Sequence, residues 1–159
     1  MAIYYFDLER AITTNGVTQT LSTHFRLLTA ANQRLARVMA VSVKGRHGTA
    51  GGGAARLLTA AVAGIGGTAQ TPAERDSTGP AAGTTAFNDA TAITPGTTPV
   101  VRRSIGFAQT GGEGAWVAFE PQSAIHLEPN AGAPGNAEVG TLAFGTSLPA
   151  DLGVEVAEG

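Results

Sequence analysis

The sequence predicts an all-β fold: an antiparallel β-sandwich or jelly-roll-like barrel with long Gly/Pro-rich loops. Three observations carry this prediction. Short runs in which apolar and polar positions alternate recur along the chain. Clusters of Gly, Pro, Asn and Thr separate those runs. No segment combines a helix cap with a 3.6-residue apolar period. The 159 residues suit one domain of 1–159, with a loop-rich insertion at about 64–99.

Each element follows from its residues. IYYFDL (3–8) is aromatic and apolar and reads as a strand. Asn15-Gly16 is a turn signal that suggests a hairpin over 11–21. RLARVMAVSVK (34–44) reads as a half-buried strand, although its Leu, Ala and Arg also permit a helical start. Leu35, Arg37, Met39, Val41 and Val43 share one face; Arg34, Ser42 and Lys44 share the other. Gly45 and GTAGGG (48–53) then break the chain. In AARLLTAAVAG (54–64) the alanines and leucines favour helix, whereas the length and glycine flanks favour strand, which is the expectation here. Residues 64–99 carry GIGG, TP, GP and PGTTP, a long connection with at most one short strand near Thr84–Phe87.

The last third alternates more regularly. VVRRSIGF (100–107) places Val101, Ile105 and Phe107 on one face, and Thr110-Gly111-Gly112 turns the chain. In AWVAFE (115–120), Ala115, Val117 and Phe119 oppose Trp116, Ala118 and Glu120. In QSAIHLE (122–128), Ile125 and Leu127 oppose His126 and Glu128. PNAGAPGN (129–136) reads as a loop, and AEVGTLAFG (137–145) as a strand. DLGVEVAE (151–158) ends the pattern, with Leu152, Val154 and Val156 inward and Glu155 outward. No tandem repeat is visible.

Composition narrows the function classes. Charged residues are 14% of the chain, against about 25% in an ordinary soluble domain. A surface this poor in charge does little to keep copies apart, so much of it is expected to be covered in use. The basic residues are nine arginines and Lys44. Arginine is enriched in interfaces where lysine is depleted, although a GC-rich genome would also favour it. Charge is polarised as well. Residues 1–103 hold all ten bases and five acids, net +5; residues 104–159 hold seven acids and no base, net −7. The sum is −2. No dense basic cluster interleaves with aromatics, which argues against nucleic acid as a partner. No apolar run approaches the roughly 18 residues of a membrane helix. Met1 leads directly into IYYFD, so no signal peptide is expected either.

A search for chemistry assigns no catalytic residue, cofactor or metal site, and an enzyme is not expected. Cysteine is absent, which removes disulfides, thiolate zinc sites and thiol nucleophiles. His24, His47 and His126 lack metal-ligand spacing. GIGGTA (64–69) misses the dinucleotide fingerprint, and no phosphate loop, GxSxG or HExxH occurs. The acids are scattered singly, which leaves no Ca²⁺ loop. His126 and Glu128 share a strand face, with Glu120 across a hairpin; a solvated face explains them more simply than an acid–base pair. The candidate interface residues are Arg34, Arg37, Arg102, Arg103 and Trp116. Trp116 is either core or an anchoring contact.

Two stretches carry a family likeness: HFRLLTAANQRLARVMAVSVKG, and AARLLTAAVAGIGGTAQTPAERDSTGPAAGTTAF. Their order, with an aromatic- and glycine-rich strand pair and an acidic C-terminal strand after them, resembles the head decoration (cement) proteins of tailed bacteriophages. The chain departs from that pattern in its alanine-rich 54–63 strand and in a 29–32 turn without proline. The resemblance implies a β-sandwich on the outer surface of a virion capsid, made in the host bacterial cytoplasm. Its partner would be the major capsid protein, and further copies of itself in a homo-oligomer, for instance a trimer. The alternatives are a tail or neck structural protein and a host-surface, glycan-binding fibre module.

Overall fold

The computed structural model describes residues 2–13, 22–29, 36–46, 48, 51–62, 65–75, 81–88, 96–98, 100–108, 110–127, 135–143 and 149–159. Among these residues twelve strands follow in order: β1 (Ala2–Thr13), β2 (Ser22–Thr29), β3 (Ala36–Gly45), β4 (Gly52–Thr59), β5 (Thr68–Gln70) and β6 (Ala73–Glu74), then β7 (Thr84–Asn88), β8 (Val100–Ala108), β9 (Glu113–Val117), β10 (Ile125–Leu127), β11 (Gly135–Ala143) and β12 (Pro149–Glu158). A 3₁₀ turn, Pro121–Ser123, separates β9 from β10. The first sheet has the order β6-β1-β12-β3, with β9 and β10 both on the far edge of β3. The second has the order β5-β7-β2-β11-β4-β8. Every pairing is antiparallel.

The alternating pattern becomes cross-strand rows. Phe6 pairs Val154, Val154 pairs Val41, and Val41 pairs Trp116. Tyr4, Val156, Val38 and Ile125 form the next row. All of these but Tyr4 share one core with Ala55, Leu57, Ile105 and Phe107 of the second sheet, so the two sheets face each other across it. Burying such residues is worth about 1.5–3 kcal/mol each, and that face-to-face burial selects the register. The all-β expectation therefore holds, with the strands divided between two sheets.

Local readings fare unevenly. The 54–64 stretch is a strand, β4, not a helix, and starts two residues earlier, at Gly52. In 34–44, Val41 and Val43 are buried as expected, but Arg37 and Met39 do not share their face. A bulge at Met39, between the pairs Glu155↔Ala40 and Val156↔Val38, shifts the parity so that Ala36 and Val38 point inward instead. A second bulge, at Arg102, puts Val101 on the opposite face from Ile105 and Phe107. The turn at 110–112 forms, with Gly111 at φ 84°. β1 ends at Thr13; the rest of the hairpin expected over 11–21 is outside the described residues, as are Arg34, Glu128 and 129–134. Within 64–99, β7 forms as expected and the short β5 and β6 are additional. β2 is a strand that the pattern reading does not mark.

Candidate functional site: an apolar flank with a projecting phenylalanine

β9 and β10 are one edge strand broken in two. β9 runs along β3 from Glu113↔Lys44 to Val117↔Ala40, and β10 resumes at Ile125↔Val38. Met39 alone lies between the two stretches of β3, whereas the edge chain spends residues 118–124 there. Met39 is also the bulged residue, and its carbonyl accepts the Ala118 N–H at 2.7 Å. The excursion is tied to itself. The Ser123 N–H and hydroxyl both donate to the Glu120 carbonyl, at 3.0 and 2.9 Å. Ala118 and Ala124 are buried at its two ends. Phe119, next to Ala118, is 93% exposed.

Pro121 explains why the strand stops. Proline cannot donate to a ladder, so it belongs at an edge or off the strand. The expected strand 115–120 therefore ends at Val117, and Phe119 leaves the face it would have shared with Val117. An exposed phenylalanine forgoes about 1.5–3 kcal/mol that burial would return. The closed excursion presents it in advance, which lowers the ordering cost when a partner covers it.

The second sheet completes this flank. β8, its edge strand, runs beside β9. A Cβ at Gly114 would collide with the Gly106 carbonyl oxygen and lie 2.8 Å from Ile105 Cγ2, so only glycine permits this approach of the two edges. Farther along, the Arg103 guanidinium lies over the Trp116 ring, 5.4 Å from its centroid. Val117 on β9 and Val100 and Val101 on β8 are exposed. Val62, which follows β4, is exposed too and bridges Thr97 just before β8 begins; Ile65 is also exposed. Thr98, in the same stretch, has φ 52°, a strained conformation for a β-branched residue. Seven large apolar side chains are exposed among the described residues: Phe119 and Val117 at the broken edge strand, Val100 and Val101 on β8, Val62, Ile65 and Tyr5.

The expected interface residues do not assemble into one patch. Arg102 is the bulge residue of β8 and donates from Nε to the Thr59 hydroxyl at 2.8 Å. Arg103 lies over Trp116, which is half-buried and packs against the edge of the core. Arg37 lies on the outer face of β3, in register with His126 and Ala157, away from that pair. Arg34 is outside the described residues. Glu120 sits in the excursion rather than on a strand across from His126. The pattern reading missed Phe119, Val117, Val62 and Ile65 as surface residues; Pro121 was the one signal that could have freed Phe119 from the strand. Among the described residues no group of three or more His, Asp or Glu is placed to hold a metal ion. No family model, no curated protein and no solved structure matches the chain.

Proposed function

We propose that the chain is a structural protein of a tailed-phage virion. On this reading it decorates the head and stabilises it by binding the outer surface of the major capsid protein lattice. The observation that carries the reading is Phe119, which projects almost fully exposed from the broken edge strand two residues after the exposed Val117. A solvated monomer gains nothing from such a group, whereas an interface gains an anchor. Low overall charge favours the same role. The virion assignment rests on the resemblance of residues 24–87 to cement proteins. Physically, the role needs many modest contacts repeated over a lattice, because occupancy stabilises whatever state it binds.

The test is the copy number of this chain on purified virions, counted by quantitative mass spectrometry against the major capsid protein. Hundreds of copies per particle support decoration. A few dozen would move the chain to a tail, neck or fibre, and absence would remove it from the virion.

A further inference from the structure

The outer face of the first sheet carries a polar depression of about 210 Å³. Its floor is Gly153 on β12, the strand between β1 and β3. A Cβ there would lie 2.5 Å from Ser42 Oγ and 2.9 Å from Tyr5 Oη. The two hydroxyls thus converge over a residue with no side chain. Tyr5 leans in from a neighbouring row, since its own backbone partner is Glu155, and the residue is 39% exposed. Asp7, the register partner of Gly153, lines one side. The next row, Asp151, Lys44 and Glu113, lines another, with the ammonium-bearing residue between two acids. Arg46 pairs with Asp151 at the rim.

We propose that this depression binds one ring of a neutral saccharide. The chemistry of the lining selects that ligand class. Lys44 and Arg46 bring hydrogen-bond donors, the Asp7 and Glu113 carboxyl groups bring acceptor oxygens, and the Tyr5 and Ser42 hydroxyls do both. Vicinal sugar hydroxyls match such a set because each donates and accepts. The exposed Tyr5 ring adds an apolar surface beside them. Tyr5, Asp7, Ser42, Lys44 and Glu113 make no side-chain hydrogen bond or ion pair among the described residues, so their bonding capacity is open to a ligand. Three acids against two bases leave the lining at net −1, which disfavours phosphate and sulfate. Lys44 between Asp151 and Glu113 disfavours a metal cation. The volume is below the roughly 300–1,000 Å³ of pockets for drug-sized ligands, so a single ring is the appropriate scale. The site lies on the outer face of the first sheet, reaching β9 only through Glu113 at its start, and does not depend on shell binding.

The test is an amide NMR titration of the full chain with glucose, galactose and N-acetylglucosamine in turn. Glycine serves as the zwitterionic control and sodium phosphate as the anionic one. The proposal expects saturable shifts at the Tyr5, Ser42, Lys44 and Gly153 amides with at least one sugar. Asp7→Ala and Lys44→Ala, both at exposed positions, should weaken that binding about tenfold each, the effect of losing a hydrogen bond to a charged group. Gly153→Ala should abolish it by filling the floor; should that variant fail to fold, the other two decide. Three results would overturn the site. One is no sugar-dependent shift at tens of millimolar. Another is a shift that both Asp7→Ala and Lys44→Ala leave unchanged. The third is a response to glycine or phosphate alone. Because the isolated chain is titrated, failure here leaves the capsid reading standing.

Discussion

Phe6 and Phe119 carry the same ring in opposite circumstances. Phe6 is 2% exposed, in a row that runs from β1 through Val154 and Val41 to Trp116. Phe119 is 93% exposed on an excursion from the sheet edge. The two regions differ in what constrains them. In β1, β12 and β3, antiparallel neighbours and a second sheet across the core hold the apolar rows in register, so a slip of one position would turn the whole apolar set outward. At β9–β10 one edge is open. The chain can leave the ladder, insert seven residues opposite a single bulge, and carry an apolar ring out with it. The interior specifies the fold; the break in the edge supplies a surface that a partner can use.

The largest effect should come from breaking the interior side of the comparison. Phe6→Ala removes a buried ring from the four-strand row and leaves a cavity, so it should cost about 3–5 kcal/mol. The midpoint of urea denaturation should fall accordingly, with the slope of the transition preserved. A midpoint close to that of the parent chain would mean that the row is not the structural centre described here.

A polar contact within the core gives the next effect. Glu158 continues the inward series of Leu152, Val154 and Val156 to the end of β12, where it is buried. Its carboxylate accepts the Gly83 and Thr84 N–H groups of the opposite sheet, at 2.9 and 2.6 Å. One side chain thus ties the last strand of the first sheet to the start of β7. Glu158→Ala leaves two donors without that acceptor and should cost about 2–3 kcal/mol. Glu158→Gln keeps one acceptor oxygen and should cost less. Glu155→Ala, one strand position away from the inward series, should stay within about 0.5 kcal/mol. Equal urea midpoints for Glu158→Ala and Glu155→Ala would show that the carboxylate does not join the sheets.

These contrasts mark what could be read from the residues. β12 was legible because both of its faces meet ordinary requirements: valines and leucine inward, Glu155 outward. Glu158 has the inward parity too, but a charge there is explained only by N–H groups on a strand 74 residues away in sequence. The bulges at Met39 and Arg102 were not legible. Each adds one residue that alternation cannot announce, and each moves the side chains beyond it to the other face. That is why Val101 was expected on the face of Ile105 and Phe107. The flank was not legible for a related reason: β8 and β9 meet only because Gly114 admits the close approach, and Gly114 looks like any other glycine of a turn. Gly153 is the same case on the outer face.

The smallest effect on stability should come from the exposed side of the comparison. In Phe119→Ala the deleted ring is already in water, so almost no transfer energy is lost and no cavity forms. The expected change in the urea midpoint corresponds to less than about 0.5 kcal/mol. The hydrogen bonds from Ser123 to Glu120 and from Ala118 to Met39 use backbone atoms and one hydroxyl, so the excursion should keep its shape without the ring. A partner that seats Phe119 would lose an anchor, which costs about 2 kcal/mol or more when the residue is a hot spot. Retention on purified particles through repeated sedimentation should therefore drop at least tenfold in affinity terms. The same protein should meanwhile denature like its parent. Full retention by Phe119→Ala would move the contact surface off this flank, because no other described side chain on it is as exposed.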